Sequence, residues 1–387
     1  MAVGLGLSIG TVNTVSALAE EGSAKAPPRP RKKLRPQAIT RRTTLTFYST
    51  GVARVGMIPR HGRAITEFAD LTQRSTARAR VGRRTLSPAN LVATVADCVI
   101  REVLHDHPSR GAGVGIALTH PARYTDEQVG ELRAALDGAD LTQVALVAEP
   151  IAAATWLEAD RGPLMPGLAL VYDLGGAGLD VTLVRVGVGR PRNPIVGESL
   201  RSTEFGGRAF GARCAERAGT GLPSSSITES AADADELRSA HIKKSLELVY
   251  RCLRTADVTM ADVDRVLVVG GAARPVEVAR VLADELARPV ITAPDPERTI
   301  ADGAAIIGRR AAAEAEAAAE PPAEQRRGGR RGGAGRPAAT RALLLSRRTK
   351  RRLARGAVVA ALSLAGIGLS VVPSDGVIVG LSQLGLR

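Results

Sequence analysis

Apolar and polar positions alternate along Val3–Ala19, break at a Gly-Thr turn and resume, which predicts two short strands joined tightly. Ala24 to Arg35 is rich in proline, lysine and arginine and reads as a solvated loop between hairpin strands. Thr43–Val55 is strand-like again. Over Pro88–His105 the period changes, with Leu91, Val95, Cys98, Val99 and Val103 at helical spacing. From Val114 the pattern becomes regular. Val114–Thr119 is an apolar strand, and Thr125 to Gln128 is a capping box that opens a helix to about Leu136. Val144–Ala148 reads as a strand and Pro150–Glu158 as a helix with proline in its first turn. Leu168–Asp173 and Leu179–Val186 make a hairpin around a glycine turn. A strand at Val263–Val269, a helix at Pro275–Leu286, a strand at Val290–Thr292 and a helix at Glu297–Ala313 follow. Strands alternating with helices predict an α/β fold.

The charge balance changes this picture only at one end. The chain of 387 residues carries a formal net charge of +14. Every charged residue between Arg326 and Arg355 is basic, and these residues account for all but about +2 of that charge. The globular part is thus nearly neutral, and nucleic acid is not expected as its partner. From Ala311 to Ala339 the composition narrows to Ala, Glu, Pro, Arg and Gly, a helix end running into a linker. Residues 356–372 carry no charge, and this stretch next to arginines predicts a membrane helix with the basic run on its cytoplasmic side. An Arg-Gly tail on nucleic acid is the other reading of the basic run, and its position beside the apolar stretch favours lipid. The start, Met1 to Gly10, shows no basic region and no long apolar run, so no signal peptide is expected. Cys98, Cys214 and Cys252 form no paired motif and read as small apolar residues in a reducing compartment. The five histidines show no ligand spacing.

Three glycine turns carry the chemistry. Ser8 to Thr14 contains Gly10, Thr11 and Asn13; Asp173 to Asp180 contains Gly175 and Gly176; Val268 to Pro275 contains Gly270, Gly271 and Arg274. Exposed backbone N–H groups in such turns form nests for phosphate oxygens, because no Cβ blocks the approach. Taken singly, each is an ordinary tight turn. Asp173 by itself reads equally as a strand-end residue satisfying turn amides, and Glu149 before Pro150 as a first-turn charge favoured by the helix dipole.

In series, the turns resemble the two phosphate motifs and the adenosine motif of the superfamily of actin, hexokinase and the DnaK-type heat-shock chaperones. The chaperones match best. Arg42-Thr43-Thr44 resembles their Arg-Thr-Thr stretch, and His120 to Asp126 their "VPAYFND" segment. Glu149 to Ala154 is similar to "EPTAAA", Phe205 to Phe210 to "LGGEDF", and Pro296 to Ala305 to "PDEAVAYGAA". The resemblance runs in order from residue 3 to about 310. It implies an actin-like ATPase fold, with a first lobe at 1–160 and a shortened second lobe at 161–313 whose last helix returns to the first. A basic linker at 314–355, the apolar helix at 356–372 and a short tail at 373–387 complete the expected organisation.

The resemblance also implies roles. Gly10, Thr11, Asn13, Gly175 and Gly176 would cradle phosphates of ATP or ADP, while Gly270, Gly271 and Arg274 would lie against the adenosine. Glu149, Asp173 and Asp180 would be the catalytic carboxylates, with Asp173 and Asp180 holding Mg2+ through water. The chain departs from the pattern in several places. Ser8 stands where an Asp is expected, Ala177 and Gly178 where Gly and Thr are, and no lysine occurs in Phe68 to Thr72. Glu297-Arg298 replaces Asp-Glu, the segment from Phe210 to Val263 is short, and no peptide-clamping module is visible after residue 311. The expected function is a membrane-tethered, chaperone-like switch or scaffold that binds ATP, hydrolyses it weakly or not at all, and is read by an unidentified protein partner. A slow but genuine ATPase or kinase, and an interaction module that has lost nucleotide, are the alternatives.

Overall fold

The structure is a computed structural model that describes residues 2–20, 39–48, 52–58, 64–73, 79–81, 84–105, 113–219 and 227–319. The predicted basic loop at Ala24–Arg35, most of the linker, and the apolar stretch at 356–372 lie outside them. Among the described residues no helix is long and apolar enough to cross a membrane.

The N-terminal half begins with strands β1 (Val3–Ile9), β2 (Asn13–Glu20) and β3 (Ile39–Arg42), with two short pairs after them: β4 (Leu45–Phe47) with β5 (Ala53–Val55), and β6 (Ala79–Val81) with β7 (Arg84–Leu86). Helix α1 (Pro88–His105), β8 (Val114–His120), α2 (Asp126–Asp137), β9 (Val144–Ala148) and α3 (Glu149–Arg161) complete it. The predicted capping box is present, with Thr125 and Gln128 satisfying each other's backbone N–H groups. The C-terminal half contains β10 (Gly167–Leu174), β11 (Leu179–Val186), β12 (Ile195–Ser202), α4 (Gly207–Gly219), α5 (Ile227–Thr255), β13 (Arg265–Val269), α6 (Val276–Leu286), β14 (Val290–Thr292) and α7 (Thr299–Ala319).

Each half builds the same sheet. The first has strand order β3-β2-β1-β8-β9 and the second β12-β11-β10-β13-β14. In both, an antiparallel meander of three strands is extended by two parallel strands, each reached through a helical crossover. This duplicated mixed α/β arrangement fits an actin-like ATPase fold.

Strand periodicity decides what lies between the sheets. On β1, Leu5 and Leu7 face a core built with Leu91, Val95, Leu132 and Leu136 of α1 and α2. Gly4 and Gly6 point the other way, where α7 lies directly on the strand. A Cβ at Gly4 would come within 2.0 Å of the Ala305 carbonyl, and one at Gly6 within 2.1 Å of that of Ala301. On β10, Leu170 and Tyr172 pack with Leu246 and Val249 of α5 and Val278 and Leu282 of α6. Ala169 and Val171 on its other face meet Ala152, Ala153 and Leu157 of α3. The small residues of α3 and α7 therefore fill the space between the sheets. Each leucine-sized side chain fully buried in these cores stabilises the fold by roughly 1.5–3 kcal/mol.

The sequence reading missed β12, α4 and α5. For α5 a signal was present: Ile242, Leu246, Val249 and Leu253 recur at helical spacing and all are buried. Tyr172 Oη and Ser245 Oγ, 2.7 Å apart, tie that helix to β10 inside the core.

Candidate functional site

The two central hairpins turn in the same way. In the first, the Gly10 N–H donates to the Asn13 carbonyl at 3.0 Å; in the second, the Gly175 N–H donates to that of Gly178 at 2.9 Å. The turns face each other across a cleft and touch, since a Cβ at Gly176 would stand 2.3 Å from Val12 Cγ2. The third turn joins β13 to α6. Gly270 there has φ +95°, and a Cβ on it would collide with the Leu174 carbonyl at 2.4 Å and Asp173 Oδ1 at 2.5 Å.

Each turn is braced by one of the other motifs read from the sequence. Thr43 donates its N–H to the Val12 carbonyl at 2.8 Å and its hydroxyl to that of Gly10 at 2.6 Å. The first N–H groups of α4, from Gly207 and Arg208, donate to the carbonyls of Gly175 and Gly176 at 3.0 and 2.9 Å. The Gly270 N–H donates to the Pro296 carbonyl at 3.0 Å. Bracing by rigid elements holds a cradle in shape before any ligand arrives.

All three turns open onto one cleft of about 320 Å³, within the ordinary range of ligand sites. Its lining includes every residue singled out above: Gly10, Thr11, Asn13, Gly175, Gly176, Gly270, Gly271, Arg274, Glu149, Asp173 and Asp180. Among the described residues none of α5 lines it.

The carboxylates divide into two kinds. Glu149, at the first turn of α3, and Asp173, at the end of β10, face the cavity without a hydrogen bond from any described residue. Burial, reinforced by the charges of Asp173 and Asp180, pushes the Glu149 carboxyl well above the ordinary range; burial and the Asp180 charge push Asp173 up to about 7. Asp180 is held differently. Arg201, its partner across the β11–β12 ladder, donates Nη1 to its Oδ2, and Arg123 Nε lies 3.5 Å from its Oδ1. Asp70 joins the same group. Arg123 Nη2 donates to its Oδ1 at 2.7 Å, Arg123 Nη1 donates to Thr72 Oγ1 at 2.6 Å, and Arg201 Nη2 stands 3.9 Å from its Oδ2. Burial works against the Asp70 charge, but hydrogen bonds from Thr72 and Arg123 outweigh it and hold the carboxyl below its ordinary pKa.

Among the described residues no group of three or more His, Cys, Asp or Glu is arranged to hold a metal ion directly. Glu149 and Asp173 do fit the outer shell of a hydrated Mg2+ carried on phosphates: they are hard oxygen donors, unbonded, buried and destabilised by neighbouring carboxylate charge, Glu149 by Asp173 and Asp180, Asp173 by Asp180. Asp180 pairs with Arg201 through Oδ2, and its Oδ1 has no hydrogen-bond partner. Arg274 also has partners of its own, with Nη2 3.1 Å from Asp295 Oδ1 and 2.5 Å from Glu297 Oε2.

Sequence reasoning had not assigned Asp70, Arg123, Arg201 or Glu297 to the site. Arg201 needed β12, whose half-exposed residues give no clear alternation. Asp70 and Arg123 are brought together only by tertiary folding.

Residues 216–317 match the family model described as Hsp70 protein. The chain is 30% identical over 232 residues to a chaperone protein HscA homolog of Chromobacterium violaceum, a match covering 51% of this chain and 37% of that protein. It is 29% identical over 230 residues to the HscA homolog of Aliivibrio fischeri and to HscA of Proteus mirabilis, each over 50% of this chain and 36% of the relative. The matches thus span little more than a third of these relatives' own length. With these likenesses and the duplicated fold around a braced triple-turn cleft, the chain carries a domain similar to the nucleotide-binding domain of Hsp70-type chaperones.

Proposed function

We propose that the cleft binds ATP and ADP, and that the chain works as a nucleotide-dependent switch or scaffold of the chaperone type with weak hydrolysis. The observation that carries this reading is the meeting of three glycine turns, drawn from residues 8–14, 173–180 and 268–275, on one cleft with Glu149 and Asp173. The backbone N–H groups of the first two turns would take phosphate oxygens, and Gly270, Gly271 and Arg274 the adenosine. Bound with the triphosphate, Mg2+ would offset phosphate charge, its waters held by Glu149 and Asp173. Weak hydrolysis is supported by Ser8, which lines the cleft where a third acid would complete that set, and by the lack of a lysine at 68–72. Nucleotide would draw the two sheets together, and that closure would be read by a protein partner.

Calorimetric titration with ATP and ADP, with and without magnesium, tests the binding; single-turnover phosphate release tests the hydrolysis. Micromolar binding with release barely above background is the expected result. No binding under either condition overturns the reading. Turnover at the rate of an active ATPase would favour a genuine enzyme.

The basic run and the uncharged stretch at 356–372 support a further part of the reading, a tether to the cell membrane with the nucleotide domain on the cytoplasmic side. Retention of the full chain in the membrane fraction after carbonate extraction is expected, and its release would overturn the tether.

A further inference from the structure

The turn at Gly178 is empty of side chain for a reason that the neighbouring strand supplies. A Cβ built on Gly178 would stand 3.4 Å from both Cζ and Nε of Arg201 and 2.6 Å from the Ser202 carbonyl. The Arg201 guanidinium thus lies beside the second glycine turn, within ordinary contact distance of a Cβ at 178, while the collision there is with the Ser202 carbonyl. It also lines the cleft with Gly175, Gly176 and Asp173. Asp180 anchors Nη1, while Nε is buried with no hydrogen-bond partner and Nη2 reaches Asp70 only at 3.9 Å. A guanidinium has five donors in a planar fork, so the anchored group keeps donors free for a second anion.

The charges point the same way. Asp70, Glu149, Asp173, Asp180 and Glu297 line the cleft, and the guanidiniums of Arg123, Arg201 and Arg274 are its cations. Arg274 is committed to Asp295 and Glu297, and Arg123 to Asp70 and Thr72. Arg123 Nε and Arg201 Nε both lack a hydrogen-bond partner, and of the two guanidiniums Arg201 is the one that lies beside the second glycine turn.

We infer that Arg201 is a phosphate-positioning residue, its guanidinium held by Asp180 beside Gly178 and directed at the terminal phosphate of a bound nucleoside di- or triphosphate. The inference rests on the nucleotide reading above. It gives the glycine at 178 a positive role: a side chain there would meet the Ser202 carbonyl at 2.6 Å and disturb the strand end that carries Arg201. Arg201 then supplies, from the second sheet, a positive charge that the segment Phe68 to Thr72, which has no lysine, does not.

The test is a titration of the full chain with adenosine, ADP and ATP in magnesium buffer, comparing wild type with Arg201→Gln. The variant should bind ATP at least tenfold more weakly and adenosine within about twofold of wild type. Circular dichroism reports whether the fold is kept. If Arg201→Gln does not fold, Arg201→Met fills the same slot without charge and carries the same comparison. An equal loss for adenosine and ATP, or unchanged ATP affinity, overturns the assignment and leaves the nucleotide reading intact. Failure of wild type to bind any of the three overturns both.

Discussion

Asn13 and Glu297 meet across the cleft, the Asn13 amide donating to Glu297 Oε1 at 2.6 Å. Asn13 opens β2, and Glu297 precedes α7 and also pairs with Arg274. One carboxylate thus links the first glycine turn to the third. Glu297→Ala should destabilise the domain by about 1–3 kcal/mol, the usual result of leaving charged hydrogen-bond partners unmet, and should weaken nucleotide binding. Glu297→Gln keeps an acceptor for Asn13 and should lose less. Chemical denaturation of both variants checks this, and equal stability of all three proteins would count against the link.

Arg123 is the second tie. It holds Asp70, which is 4% exposed, and approaches Asp180 from the opposite sheet. Removing one partner of a buried pair strands the other charge, at a cost of roughly 3–5 kcal/mol. Arg123→Gln should therefore be far more destabilising than a surface change such as Arg101→Gln, whose guanidinium is 77% exposed. Urea midpoints measured side by side give the comparison.

The contact between the two hairpin turns predicts a rescue. Gly176→Ala places a methyl 2.3 Å from Val12 Cγ2 and should lower both thermal stability and nucleotide affinity. Adding Val12→Ala removes the obstructing group and should recover most of the stability. A double variant no better than the single one would show that backbone strain, and not this contact, sets the loss.

The raised carboxyls set a pH dependence. The folded-state pKa of Asp173, about 7, lies above the ordinary aspartate value of 3.8, so the folded state holds its proton more tightly than the unfolded state does. Its contribution to stability is present at low pH and is lost as pH rises toward 7. Asp173→Asn, which stays neutral, should gain stability relative to wild type between pH 5 and pH 8. Melting temperatures across that range test it, and a constant difference would place the proton elsewhere. Magnesium-nucleotide affinity of the wild type should rise over the same range, because the ionised form is the one that orders metal-bound water.

Restoring the expected side chains is predicted to be uneven. Ser8→Asp adds a carboxylate to a residue already lining the cleft, and with Ala177→Gly it should raise single-turnover hydrolysis. Gly178→Thr should undo that gain, since its Cβ meets the Ser202 carbonyl at 2.6 Å and presses on Arg201. A further gain from Gly178→Thr would show that β12 yields.

What the sequence determined by itself was local. Hydrophobic period and capping chemistry located α1 at Pro88–His105 and the capping box at Thr125, because neighbours along the chain create those signals. Glycine turns were legible for the same reason: a turn needs its own backbone freedom, whatever surrounds it. The pairing of the turns was not, since the contact between Val12 and Gly176 joins residues far apart in sequence. The duplicated sheet was equally hidden, because the two halves share strand order and not side chains. The same holds for the ionic group. Asp70, Arg123, Asp180 and Arg201 come from four separate segments, and of these only Asp180 was singled out from the sequence, through the family resemblance. Only the fold buries them together, where low polarity makes each charge depend on its partner. Tertiary structure therefore decided which carboxylates carry no hydrogen bond from a described residue, Glu149 and Asp173, and which one, Asp180, is paired with an arginine.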